Sequence, residues 1–265
     1  MTILESIILG IIQGLTEFLP ISSSGHIEIG KVFLNVDLND EKSLFLTLIL
    51  HLATAFSTII VYRKKVYKIF SDLLKFEKNP GFTLSIKIII SMIPAVIIAL
   101  FYEKEIYKLF NQNMILVGIM LSITSLFLFL SDRNFNNKSD ITFKNSILIG
   151  IIQAIAILPG ISRSGSTISC SVLLGVKRIN AAEFSFLMVL PLIFGSILKS
   201  LFEIENYTSN VKITPLITGF ISAFITGIFA CRWMIILVRK SKLKYFGFYC
   251  LVLGFFSIYY GVFIK

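Results

Sequence analysis

Residues 10–26, GIIQGLTEFLPISSSGH, return at 150–166 as GIIQAIAILPGISRSGS. At a constant offset of 140, 8 of the 17 positions agree without a gap: Gly10, Ile11, Ile12, Gln13, Ile21, Ser22, Ser24 and Gly25 match Gly150, Ile151, Ile152, Gln153, Ile161, Ser162, Ser164 and Gly165. In each copy an apolar helical run carries one Gln, meets a Pro and breaks into a Ser/Gly turn before a second apolar run. A helix that stops and restarts at membrane depth is tolerated only where the freed backbone lines a protein cavity. Two such breaks in corresponding places point to a binding site between two halves. The copies differ where chemistry would sit. The first carries Glu17, Ser23 and His26, and the second sets Arg163 opposite Ser23.

The rest of the chain fits a membrane setting. Of 265 residues 55% are hydrophobic, and the mean hydropathy of +0.85 exceeds what a soluble core of this length requires, so the expected fold is an all-α polytopic membrane protein. A net charge of +10 could suit a nucleic-acid binder, but the basic residues stand in short loops between apolar runs. Topology explains them, and nucleic acid is excluded as a partner. Cys170, Cys231 and Cys250 lie singly inside apolar runs and read as reduced packing residues, with neither a disulfide nor a metal framework. The N-terminus lacks a basic leader, carries Glu5 and runs straight into the repeated motif, so it is not read as a cleavable signal.

Taken in order, residues 1–19 form an apolar helix ending near Pro20. Ser22–Gly25 is the break and 26–35 a short second helix; neither piece spans about 30 Å alone, and together they read as a re-entrant hairpin. A polar loop at 36–43 leads to a span at 44–62, then a basic interfacial stretch at 63–82. Spans at 83–101, kinked at Pro94, and at 114–131 follow, with a charged loop Glu103–Lys108 between them. After the polar linker 132–142 the plan repeats: pieces at 143–158 and 166–176 flank a break at Pro159–Gly165, and spans follow at 181–201, 213–237 and 244–264. The chain is thus one membrane domain, 1–265, of two repeats, 1–131 and 143–265, each one hairpin plus three transmembrane helices. An odd number of crossings inverts the second repeat against the first, so that the two hairpins enter from opposite faces and meet near the midplane.

Four sets of residues could carry chemistry. Arg163 is costly at membrane depth, and its fork of donors suits the paired oxygens of a phosphate; the plainer reading is an Arg that only pairs with a carboxylate. The Ser/Gly turns, Ser22–Gly25 and Ser162–Thr167, precede helices whose N-termini favour an anion, although simple capping would use the same hydroxyls. Glu17, four residues after Gln13 and on the same face, could hold a divalent cation or orient a base. His26 and Ser23, three apart, could share a hydrogen bond as base and nucleophile, against a purely structural His26. His51 reads as structural. Glu5 and Glu28 read as loop-facing, and Glu183 as a partner for Lys177 or Arg178. The assembled site fits a lipid-phosphate hydrolase or a transporter or flippase of an anionic lipid.

The blocks QGLTEFLPISSSGH at 13–26, PGISRSGST at 159–167 and GVKRINAAEFSFLMVLP at 175–191 resemble the bacterial undecaprenyl-diphosphate phosphatases, also called bacitracin-resistance proteins, over essentially the whole chain. The resemblance implies a plasma-membrane (inner-membrane) enzyme that hydrolyses undecaprenyl diphosphate to the monophosphate and phosphate, recycling the lipid carrier of cell-wall synthesis with the help of a divalent cation, usually Mg²⁺. It implies Gln13 and Glu17 as the metal-holding pair, Ser23 and His26 with Glu17 as the catalytic group, and Arg163 with Ser22, Ser162, Ser164, Gly165 and Thr167 around the diphosphate. Whether Ser23, His26 or water attacks phosphorus stays open, and a homodimer is an allowed assembly. In this sequence Gln13 takes the amide form of its motif, leaving Glu17 as the motif's one charge.

Sorting the basic residues by side puts 17 on one face and 7 on the other, with Arg163 inside. The positive-inside rule makes the first face cytoplasmic. Both termini are then expected on the outer, periplasmic side, and a membrane-impermeant thiol reagent applied to intact cells should label a cysteine appended at either end.

Overall fold

The computed structural model describes all residues except 37–39, 76, 78, 110–112, 133–138, 203–212, 241–242 and 265; within helices the side chains of 40, 41, 44, 103, 104, 107, 200–202, 239 and 240 are also left aside. Parts of the expected loops at 36–43 and 132–142 therefore lie outside the described residues, as do several of the basic groups counted above, Lys78, Arg133, Lys138, Lys212, Lys242 and Lys265 among them. What is described is helical, apart from a parallel bridge between Ser139 and Val176.

The first broken element is α1 (Ile3–Thr16) and α2 (Ser23–Phe33). Thr2 caps α1 in a reciprocal box with Glu5, two orphan amides satisfied at once. Then come α3 (Asp40–Val61), α4 (Arg63–Leu74), α5 (Pro80–Phe101), α6 (Glu103–Leu109) and α7 (Met114–Ser131). The second broken element is α8 (Phe143–Ile155) and α9 (Arg163–Leu173), followed by α10 (Arg178–Phe202), α11 (Ile213–Lys240) and α12 (Lys244–Phe263). Five helices, α5, α7, α10, α11 and α12, contain windows long and apolar enough to cross a membrane. The apolar part of α3 meets α4 at an 84° bend, and α4 exposes Tyr67, Phe70 and Leu74, as an interfacial helix would. At 1.5 Å per residue, α1 and α8 reach only about 20 Å, short of a bilayer core.

Three expectations shift. The breaks fall earlier than the Ser/Gly signals suggested, at 17–22 and 156–162, because Ser22 and Ser162 are N-caps and the serines and glycines after them already turn as helix. Residues 103–108 form helix α6 and not a loop, and the basic stretch after Arg63 is helical only to Leu74, since Asn79 caps α5 with Pro80 in its first turn, where Pro is pre-organised. α7 stands where expected, and Pro94 lies inside α5.

Packing places the breaks at the centre. α1 lies on α11 and α8 on α5, α7 pairs with α12, and α3 pairs with α10. The two breaks touch directly: the Ser164 hydroxyl donates to Leu19 O at 3.1 Å, and a Cβ on Gly25 would come within 3.1 Å of Gly160 Cα. Each break is also held from behind at the matching residue. Thr124 on α7 donates to Gly160 O (3.0 Å), and Cys250 on α12 approaches Pro20 O (3.9 Å). Around this the core runs through Phe18, Val117, Leu121, Ile168, Phe184 and Met234. Outward, Ile89, Leu126, Phe229 and Phe255 are exposed, as lipid-facing side chains should be.

Two acidic side chains depart from the sequence reading, Glu28 from a loop-facing place and Glu183 from its expected partners. Glu28 is buried and bonds Lys31, also buried, beside Ser43. Glu183 pairs with Lys65 of α4 at 2.7 Å and not with its neighbours in sequence; Arg178 instead reaches Asp132 at 3.4 Å.

Gly160 sits at φ +101°, and a Cβ there would meet Val117 O at 2.6 Å and Met120 Cβ at 2.7 Å. Backbone strain and overlap together predict that Gly160→Ala loses at least about 1–3 kcal/mol. Gly195→Ala, where a Cβ meets nothing within 4 Å, should match wild type when thermal unfolding of the purified proteins is compared.

Candidate active site

Each broken element delivers one side chain to the same carboxylate. Glu17 is the C-cap of α1 and is buried at 7% exposure. Ser23 and Arg163 are the first helical residues of α2 and α9, equivalent positions in the two copies. The Arg163 guanidinium bonds Glu17 Oε1, and the Ser23 hydroxyl donates to Oε2 at 2.6 Å. Gln13, one turn back on α1, donates Nε2 to the same Oε2 at 3.0 Å. A second Arg163 nitrogen donates to Ser185 O on α10 at 3.0 Å. A buried charge persists when it is paired and its lone pairs are satisfied, and Glu17 meets both conditions.

The carboxylate forms the polar end of a cavity of about 260 Å³. Ser23, Ser24, Ser162, Arg163 and Ser164 line that end; the rest of the wall is mostly apolar, with Leu48, Ala95, Ile106 and Leu192, and carries Thr47, Gln153 and Ser196 as well. A cluster of charge and hydroxyls at one end and hydrocarbon at the other suits an amphiphile with an anionic head. Arg163 pairs with Glu17, as the plainer reading has it, and it also lines the cavity. Both helices begin at this end, so their positive dipole ends add to the attraction for an anion.

The other expected residues divide. Ser162 and Ser164 reach the cavity, although Ser162 also caps Gly165 N at 3.0 Å. Ser22 caps Gly25 N at 3.2 Å from a left-handed backbone, φ +71°, and does not line the cavity. Gly165 is closed in, since a Cβ there would meet Pro20 O at 3.0 Å. Thr167 is fully buried and turns its hydroxyl to Arg163 O at 2.7 Å and Ser185 Oγ at 2.8 Å; it shapes the Arg163 turn from behind the cavity wall.

His26 departs furthest from expectation. It makes no bond to Ser23. Its Nδ1 lies 2.7 Å from Ser22 O, so it carries the proton there. Its Nε2 lies 2.7 Å from the Tyr249 hydroxyl on α12, and the two rings stack. Three residues along a helix turn a side chain some 60° away from its neighbour, enough to place His26 on the α12 side while Ser23 faces Glu17. The imidazole at the carboxylate is His51, read from sequence as structural. Its Nε2 is 3.4 Å from Glu17 Oε2, and it lines the cavity. The signal was a stripe of polar residues on an apolar helix, Thr47, His51, Thr54 and Thr58, at helical spacing; Thr54 meets Gln13 at 3.4 Å. Gln153, the second-copy equivalent of Gln13, also lines the cavity, and its Oε1 is buried without a hydrogen-bond partner.

Replacing Arg163 alone strands the Glu17 charge. Arg163→Ala is therefore expected to destabilise the protein by about 3–5 kcal/mol, and Arg163→Ala combined with Glu17→Gln by less, in thermal unfolding of the detergent-purified proteins.

A family model described as bacitracin resistance protein BacA matches residues 6–256. The chain is 54% identical over 261 residues to the undecaprenyl-diphosphatase of Christiangramia forsetii, covering 98% of this chain and 99% of that one. It is 42% identical over 258 residues to the protein of the same name from Bacteroides fragilis, covering 96% of each. With the Methanococcus vannielii undecaprenyl-diphosphatase it shares 40% over 260 residues, 97% of this chain and all of that one.

Proposed function

The chain belongs to the bacitracin resistance protein BacA family, and on that premise we propose that it hydrolyses undecaprenyl diphosphate to undecaprenyl phosphate and inorganic phosphate, returning a lipid carrier to cell-wall synthesis. The observation that carries the reading is the convergence of Ser23 and Arg163 on the buried Glu17 carboxylate at the polar end of a largely apolar cavity. The diphosphate sits at that end and the first prenyl units run along Leu48, Ile106 and Leu192.

The steps follow from the contacts. Arg163, held by Glu17 and Ser185 O, keeps donors for the diphosphate, and the starts of α2 and α9 add their dipoles. Ser23 attacks the terminal phosphorus while its proton passes to Glu17 Oε2, 2.6 Å away; the phosphoanhydride bond breaks and the prenyl monophosphate leaves. Water then releases phosphate from Ser23, with Glu17 now guiding the proton. In this arrangement Glu17 takes the base role that the sequence spacing suggested for His26, whose ring is engaged by Ser22 and Tyr249.

A divalent cation such as Mg²⁺ fits the donor set. Gln13, whose Nε2 meets Glu17, has a buried Oε1 without a hydrogen-bond partner among the described residues, and hard cations take such oxygens together with substrate phosphates. Glu17 and Gln13 would hold the cation, which would neutralise charge on the diphosphate. No group of three or more acidic, His or Cys residues able to hold a metal occurs among the described residues.

Two finer features belong to the same reading. The active site opens to the outer face of the plasma membrane: Thr47, Ile106 and Ser196 on the cavity wall lie towards the helix ends that the charge count places outside. The halves are inverted repeats, supported by the matched pairing of α1 with α11 and α8 with α5, and by the matched supports at Pro20 and Gly160.

Purified protein should release phosphate from a long-chain prenyl diphosphate and lose most of that activity in EDTA. Ser23→Ala and Arg163→Ala should each cut turnover by about 10²-fold or more. Lipid translocation into liposomes without phosphate release would assign the site to transport instead.

A further inference from the structure

We propose that His51 is a positioning residue of this site: an ion pair between its ring, protonated at both nitrogens, and Glu17 Oε2 holds the carboxylate in the one orientation that meets the Ser23 hydroxyl. The proposal rests on the phosphatase reading above.

Three observations carry it. First, the ring is fixed from behind. Nδ1 lies 2.8 Å from Thr47 O one turn back on α3, and because a carbonyl only accepts, Nδ1 carries a proton there. Nε2 thereby faces Glu17 Oε2, 3.4 Å away, and the two attract only when Nε2 carries a proton as well, so the ring acts as an imidazolium paired with the carboxylate. Second, Oε2 is the oxygen that receives Ser23 and Gln13, while Oε1 receives Arg163. The last torsion of a Glu side chain is broad. When a diphosphate draws Arg163 off Oε1, the contacts to Oε2 are what remain to set the carboxylate plane. Of these, Gln13 comes from the same helix as Glu17 and Ser23 is consumed by the reaction. His51 is the holder that comes from a different element, α3, and is left in place throughout. Third, the alternative imidazole is elsewhere, because His26 bonds Ser22 O and Tyr249 and does not line the cavity.

A carboxylate displaced by about 1 Å from its partner costs on the order of 10²-fold in rate, whereas substrate binding, set by Arg163 and the apolar wall, is left alone. The role therefore appears in turnover and not in affinity. It also depends on an N–H at one point in space, which a glutamine can supply and an alanine cannot.

The test measures phosphate release from a long-chain prenyl diphosphate by detergent-purified full chains of wild type, His51→Ala, His51→Gln and Ser23→Ala, with thermal unfolding of each. The expected result is kcat lowered about 10–100-fold in H51A with KM within about 2-fold of wild type, and H51Q restored to within about 5-fold. Unfolding midpoints should agree within a few degrees. If H51A does not fold, His51→Asn, whose shorter amide falls short of Glu17, takes its place. Wild-type kcat in H51A, equal loss in H51A and H51Q, or a change confined to KM overturns the inference and leaves the phosphatase reading standing. A wild-type protein that releases no phosphate overturns that reading, and this inference with it.

Discussion

One carboxylate organises the molecule. Glu17 lies buried where two half-helices from distant parts of the chain end their breaks, and it is tolerated there because Arg163 answers its charge and Ser23 and Gln13 satisfy its other oxygen. Unpaired, a carboxylate in that position would cost several kcal/mol or lose its charge. Bringing Arg163 to it requires α9 to start at the level of α1's end. That placement in turn requires the two breaks to touch at Gly25, Gly160 and Leu19. The electrostatic contact and the backbone contact are two sides of one constraint.

The scaffold is repeated but its chemistry is not. Ser23 and Arg163 occupy equivalent first positions of α2 and α9, so the same backbone geometry aims a hydroxyl from one side and a guanidinium from the other. Ser22 and Ser162 do the same structural task in both copies, each capping the glycine amide three residues on. Thr124 and Cys250 likewise support matching carbonyls. The matched pairs Ser22/Ser162 and Gly25/Gly165 build the turn, whereas the unmatched pair Ser23 and Arg163 faces the cavity. An asymmetric substrate, with a charged head and a long apolar tail, is met by this arrangement of one charged end and one greasy wall.

Much of this was legible in the sequence, and the reasons are specific. The spans at α7, α10, α11 and α12 follow from uninterrupted apolar length, a property a window of residues carries by itself. The pairing of Glu17 with Arg163 was legible because a cation and an anion at membrane depth have few other options. Less legible was α6, too short and too charged for periodicity to register. The partner of Glu183 was also hidden, since Lys65 comes near only when α4 turns by 84° at the end of α3. Glu28 read as loop-facing because nothing along the chain shows that it is buried together with Lys31.

By itself the sequence determined that two related breaks interrupt the apolar helices, and which residue types meet there. Those are local properties, set by proline and glycine backbones, serine caps and the repeat of apolar residues along one chain. Tertiary structure alone decided which of two histidines serves the carboxylate. His26 is closer to Ser23 in sequence, but α12 brings Tyr249 to it and draws it away; His51 is far from Ser23 in sequence, but α3 packs so that its ring faces Glu17. A side chain's direction from a helix is fixed by its own turn, whereas what stands opposite depends on which helix packs there, and no spacing along the chain encodes that.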